Sequence, residues 1–167
     1  MNIIKRKNKT KFLTSAAIIA ALYTVLTYVS AMFGLSGGVI QLRLSEVLCV
    51  LPIYIPAAVP GLFVGCIIAN LLSGAVALDV VFGSLATLIG AIGTRIIGAK
   101  HKYLALLPPI LSNALIIPFV IKYAYGAEEA IVFMFVTVGI GELLSCGVLG
   151  AVFEKSLGSV VAKLGRK

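Results

Sequence analysis

The stretch Ile40-Gln41-Leu42-Arg43-Leu44-Ser45-Glu46 places an arginine and a glutamate three residues apart in a chain whose charge is otherwise concentrated near its ends and in one central cluster. A few other polar groups interrupt long apolar runs: the carboxylates Asp79 and Glu142, and the amides Gln41, Asn70 and Asn113. These residue types suit the binding of a polar ligand rather than catalysis. No GxSxG, HExxH or GxxxxGK[ST] pattern occurs, so a nucleophile elbow, a zinc helix and a phosphate loop are not expected. His101 is the single histidine, and Cys49, Cys66 and Cys146 show no CxxC spacing. Neither a metal site, a cofactor nor a disulfide framework is expected from them; the three thiols read as small apolar core groups.

The elements that must position these residues follow from composition. Of 167 residues, 60% are hydrophobic and 12% are charged, and the mean hydropathy is +1.13. Soluble domains carry roughly 25% charged residues. The chain therefore reads as an all-α integral membrane protein, a single membrane domain over 1–167. A span takes ~20 residues, and six are expected, over about 11–33, 42–55, 57–72, 79–97, 104–120 and 130–153. The second contains Pro52 and ends near Pro56, so a kinked or frayed end is expected there. Pro60 suits the first turn of the third, and Pro118 is expected to interrupt the fifth. A loop with Gly34, Gly37 and Gly38 follows the first span, and a basic, weakly amphipathic tail ends the chain. The basic start and apolar run of 12–34 resemble a signal peptide, but the run is long for one and reads as an uncleaved first helix.

Charge gives the orientation. Twelve of the fourteen Lys and Arg residues fall in three clusters: near the N-terminus (Lys5, Arg6, Lys7, Lys9, Lys11), mid-chain (Arg95, Lys100, Lys102) and at the C-terminus (Lys155, Lys163, Arg166, Lys167). Six spans with both termini cytoplasmic put all three on one side, leaving Arg43 and Lys122 on the other. Retention of positive charge inside explains all three clusters, so a nucleic-acid partner is not expected. Small residues at Ala16/Ala20, Ala17/Ala21, Gly61/Gly65 and Gly90/Thr94/Gly98 mark close helix contacts.

An ionisable group at the bilayer centre costs about 2.5–3.5 kcal/mol on the lenient insertion scales. In this topology Gln41, Arg43, Glu46, Asn70 and Asp79 lie in the outer half, with Asn113 and Glu142 near the midplane. Alternatives stay open for each. Arg43 and Glu46 form either an ion pair that fixes a loop or part of a site; Asp79 is either a helix-end carboxylate or a ligand group. The two asparagines either join helices or contact a ligand. Glu142 is either neutral or meets a ligand donor or an amide such as Asn113.

Three runs carry a family resemblance: Ile40-Gln-Leu-Arg-Leu-Ser-Glu-Val-Leu-Cys-Val-Leu-Pro52, Pro60-Gly-Leu-Phe-Val-Gly-Cys-Ile-Ile-Ala-Asn-Leu-Leu72 and Asp79-Val-Val-Phe-Gly-Ser-Leu-Ala-Thr-Leu88. With the alanines of the first span, the chain resembles the QueT family over nearly its whole length. That resemblance implies a substrate-binding (S) component of an energy-coupling-factor transporter for queuosine precursors, a multi-pass protein of the cell membrane and not an enzyme. It implies a transmembrane coupling protein and two ABC-type ATPases as partners, docked on Ala16, Ala17, Ala20 and Ala21, and substrate held near the outer surface under the loops. The ligand is then a 7-deazaguanine or queuine, its donor edge on Glu142, with Asn113 or Asn70 beside it. Gln41, Arg43, Glu46 and Asp79 lie nearer the mouth, Asp79 or Glu46 for a cationic substituent, and Phe82, Tyr123, Tyr125 or Phe135 for stacking. The alternatives are an S component for another vitamin or nucleobase, or a stand-alone proton-coupled or facilitative carrier.

Overall fold

The computed structural model describes residues 2–35 and 40–166, with the side chains of all of these except 2–7, 164 and 166. Gly37 and Gly38 of the expected first loop, and Lys167, lie outside the described residues. Every regular element among them is helical: α1 (Asn2–Met32), a 3₁₀ helix (Leu44–Ile53), α2 (Ala58–Leu72), α3 (Ala77–Gly98), a 3₁₀ turn (Leu104–Leu106), α4 (Leu107–Ala124), α5 (Ile131–Glu142), a π-helical segment (Leu143–Leu149) and α6 (Gly150–Arg166). Four stretches are long and apolar enough to cross a membrane: Asn8–Met32, Ala77–Gly98, Leu104–Ala124 and Ile131–Lys163. The 3₁₀ helix and α2 are shorter and equally apolar. Much of the outer surface is exposed leucine, isoleucine, valine and phenylalanine, as a surface facing lipid requires.

The 3₁₀ helix runs through the middle of the bundle, against α1, α3, α6 and the π segment. Leu48, Cys49, Val50 and Leu51 are buried there with Tyr23, Leu62, Cys66 and Cys146, and all three cysteines are free thiols. At ~2.0 Å rise per residue its ten residues reach roughly 20 Å, against about 15 Å for an α-helix of that length. Pro52 removes a donor near its end, and Arg95 caps that end by donating to the Pro52 and Ile53 carbonyls, 3.1 Å each.

Two boundaries differ from expectation. Pro118 does not interrupt its helix: α4 continues through it to Ala124. Proline is tolerated inside membrane helices where packing covers the freed carbonyl, and Pro118 is fully buried. The last apolar stretch does not stop near Phe153 either, because α5, the π segment and α6 join end to end as far as Arg166. α6 is held to the bundle by Glu154, a buried carboxylate that the sequence reading passed over. It accepts from the Tyr54 hydroxyl at 2.6 Å and pairs with Lys102 at 3.0 Å, tying α6 to the end of the 3₁₀ helix and to the α3–α4 connection.

The small-residue contacts are real but divided. Ala16 and Ala20 turn inward: a Cβ on Gly61 would sit 2.8 Å from the Ala16 carbonyl, and one on Gly65 would sit 2.9 Å from that of Ala20. Ala17 and Ala21, about 100° further round α1, are exposed. Gly65→Ala must therefore push α1 and α2 apart, at a cost of about 1–3 kcal/mol. It should lower the thermal midpoint of the purified protein. Gly139→Ala, whose Cβ would meet nothing nearer than 3.8 Å, should leave it unchanged or slightly raised, since glycine disfavours a helix by roughly 0.5–1 kcal/mol.

Candidate substrate-binding site

The site begins with the backbone that carries Arg43. Residues 40–43 enter the bundle in extended form, held from both sides. The Leu42 amide donates to the Leu35 carbonyl at 2.9 Å, the Arg43 amide to Ser145 Oγ at 3.1 Å, and the Leu44 amide to Ser30 Oγ at 2.8 Å. The Gln41 carbonyl lies so close to Gly141 that no Cβ would fit between them. Ser30 on α1, Gly141 on α5 and Ser145 on the π segment thus fix the lead-in strand. The sequence analysis did not single out these three. Their only signal was the Gly139-x-Gly141 pair, and Ser145 three residues beyond Glu142.

Arg43 does not pair with Glu46, the ion pair weighed from their spacing. Arg43 has extended backbone, φ −109° and ψ 109°, so its side chain leaves in a different direction from those of the helix that follows. Glu46 is instead committed elsewhere. One oxygen accepts from the Tyr23 hydroxyl at 2.5 Å and the other from Cys49 at 3.0 Å. Among the described residues, no protein group accepts a hydrogen bond from the Arg43 guanidinium.

That guanidinium lines a cavity of about 380 Å³ at the end of the bundle where α1 and α2 finish and α3 starts. Gln41, Asn70, Ser73, Asp79 and Tyr125 share its wall. Asp79 stands in the first turn of α3, where the helix dipole favours a carboxylate, and its Oδ2 accepts from the Tyr125 hydroxyl at 2.7 Å. Burial and the Asp79 carboxylate hold the Tyr125 phenol above its ordinary range, so it stays a donor. The Asn70 amide donates to the Asp79 backbone carbonyl at 3.3 Å.

A deeper annex of about 20 Å³ shares Gln41, Arg43 and Ile117 with the cavity and adds Val138 and Glu142. This is room for about one water molecule. Glu142 is the last residue of α5, immediately before the π segment, the kind of local widening often found at functional sites. Its Oε2 is buried without a hydrogen-bond partner, as are Asn113 Nδ2 and Ser45 Oγ.

Of the residues singled out from sequence, Gln41, Arg43, Asn70, Asp79 and Glu142 line the cavity or its annex. Glu46 and Asn113 are buried behind the wall and line neither. Of the aromatic candidates, only Tyr125 borders the polar cavity. Phe82 and Tyr123 line a separate apolar cleft of about 440 Å³ between α3 and α4, and Phe135 meets Phe119 edge to face at 5.6 Å. Among the described residues no group of three or more His, Cys, Asp and Glu could hold a metal ion. Arg43 lines both the cavity and the annex, and Glu142 lines the annex. Together they can bind a planar polar ring that offers an acceptor to the first and N–H donors to the second.

The sequence model of the family described as QueT transporter matches residues 13–159. A curated relative, the queuosine precursor transporter QueT of Lactococcus lactis subsp. cremoris (strain MG1363), is 37% identical over 84 residues, covering 50% of this chain and 49% of the relative. The chain thus aligns with about half the length of that relative. No solved structure matches the chain significantly.

Proposed function

This chain belongs to the QueT transporter family, and we propose that it is the substrate-binding component of an energy-coupling-factor importer that takes a queuosine precursor from outside the cell. It is a multi-pass protein of the cell membrane. The observation that supports the substrate reading is the placing of Arg43 in both the cavity and its annex, with Glu142 in the annex beside it. The Arg43 guanidinium donates to no described protein group, and Glu142 Oε2 has no hydrogen-bond partner. A 7-deazaguanine offers what both lack: a ring carbonyl for the guanidinium, and adjacent N–H and NH₂ donors for the carboxylate. A cavity of about 380 Å³ lies within the range of small-molecule sites, ~300–1,000 Å³.

Six passes with both termini inside is the topology that fits this role. Polar contacts gather at two opposite ends. Thr27, Asn70, Asp79 and Tyr125 meet at the cavity, while Tyr54, Arg95, Lys102 and Glu154 meet at the other end. In that topology the three basic clusters share the side of Lys102, which the positive-inside rule assigns to the cytoplasm. The two short helices then count as passes, α2 through locally thinned lipid and the 3₁₀ helix enclosed by the bundle. On α1, exposed Ala17 and Ala21, with Leu13 and Leu22 beside them, offer the side on which a coupling protein would dock. The inward Ala16 and Ala20 support that face from behind.

Proteoliposomes test the partnership. The chain alone should bind a 7-deazaguanine and not accumulate it. Uptake should begin when the coupling protein and two ATPases are added with ATP. Accumulation by the chain alone would establish a stand-alone carrier instead.

A further inference from the structure

α3 and α4 are not equally close along their length. At the end near Lys102 their backbones are pressed together: a Cβ on Gly90 would lie 2.6 Å from Pro109 Cα, and one on Gly93 would lie 2.5 Å from Pro108 Cβ. Toward the other end the facing side chains are large, Phe82 on α3 with Leu115 and Phe119 on α4, and a cleft of about 440 Å³ separates the helices. Small residues let helix backbones approach, and bulky ones at the contact hold the axes apart. The order of small and large residues along the two helices thus opens the cleft at one end only. Its outer limits are Leu78, in the first turn of α3, and Ala124, the last residue of α4.

Among the described residues, no charged side chain lines this cleft, and Tyr123 alone brings a polar side-chain atom. Phe119 stacks parallel to Tyr123 at 6.5 Å between ring centroids and meets Phe135 of α5 edge to face. The α4 wall is therefore an aromatic strip braced from α5. Val120 lines both the cleft and the polar cavity, and so forms a partition between them. Water gains little in such a space, because the walls offer it almost no hydrogen-bond partners. Left empty, the cleft would deprive its lining of contacts on one side.

We propose that the cleft is a binding site for one acyl chain of a membrane phospholipid. α3 and α4 belong to stretches long and apolar enough to cross the membrane, and Phe82, Leu115 and Phe119 are exposed, so the cleft opens on lipid. From Leu115 to Ala124, at ~1.5 Å per residue, it extends about 14 Å along α4. That matches one leaflet, half of a hydrocarbon core ~30 Å thick. The Tyr123 ring stands at its outer end, where aromatic side chains mark the membrane interface. In the topology proposed above this is the outer leaflet. The face proposed for the coupling protein lies elsewhere, because α1 packs on α2 and the 3₁₀ helix. A chain seated in the cleft packs behind Val120 and seals the polar cavity from bulk lipid. The site depends on membrane insertion and not on which ligand the cavity takes.

Tryptophan fluorescence tests this, because the chain contains no tryptophan of its own. Phe82→Trp places a reporter in the cleft. Val136→Trp places one equally far from the start of its helix, at an exposed position of α5 outside the cleft. The full chain, purified in detergent, is titrated with phosphatidylcholine brominated on its acyl chains. Phe82→Trp should lose at least about half its emission and saturate at about one lipid per chain, as a single site does. Val136→Trp should dim only in proportion to the lipid added. Ala124→Phe, which fills the outer end of the cleft, should abolish the saturable loss in the Phe82→Trp protein. Equal quenching of the two reporters shows annular lipid only and overturns the proposal. So does a Phe82→Trp reporter that is not quenched, as in a cleft covered by a second copy of the chain, and so does saturable quenching that survives Ala124→Phe. Leu78→Trp, on the same cleft, replaces the first reporter if Phe82→Trp does not fold.

Discussion

Glu142→Gln should lower the affinity for a 7-deazaguanine by about 10- to 100-fold, while the empty protein becomes no less stable. The two halves of this result have one cause. In the proposed site the carboxylate accepts from two ligand donors, and a hydrogen bond to a charged group contributes about 1.5–3 kcal/mol, where 1.4 kcal/mol is a tenfold change. Glutamine keeps one acceptor oxygen and turns an NH₂ toward the ligand's own donors. In the empty protein, by contrast, Oε2 makes no hydrogen bond, and the change removes a buried ionisable group. Titration of ligand against the two proteins, with thermal melts of each in its absence, measures both halves. Full affinity in Glu142→Gln removes Glu142 from the site.

Arg43→Lys should cost at least about tenfold in affinity and little in stability. Lysine keeps the positive charge among Glu46, Asp79 and Glu142, so the field that stabilises these buried groups survives. What it loses is the planar fork that, in the proposed site, meets a ring carbonyl while still reaching neighbouring acceptors. Arg43→Ala is the harsher change, because it removes the only cation lining the cavity among the described residues. It should therefore reduce stability as well as binding. If lysine binds ligand as well as arginine does, Arg43 acts only as a charge.

The fold was largely legible because apolar length and proline position dictate helices in lipid. The starts of α2 and α3, the burial of the cysteines and the placing of Asp79 in a first helical turn all follow from local sequence. The π segment after Glu142 was not legible, since its apolar residues suit either helical form. Nor was the run of α4 through Pro118, which depends on neighbours covering the freed carbonyl. At the site, polar residues inside apolar runs pointed to Gln41, Arg43, Asn70, Asp79 and Glu142. Spacing alone misdirected the Arg43–Glu46 pair, because the chain changes from extended to 3₁₀ between them. Tyr23, which takes one oxygen of Glu46 from 23 residues away, and Ser145, which holds the Arg43 amide from 102 residues away, are contacts only the folded chain creates.

The most direct measurement is calorimetric titration of the purified chain, without any partner, with 7-aminomethyl-7-deazaguanine. Saturable binding of one ligand per chain, weakened at least about tenfold in Glu142→Gln, is the expected result. A folded protein that gives only heats of dilution, or binds equally well after Glu142→Gln, would contradict the assignment of this cavity to a queuosine precursor.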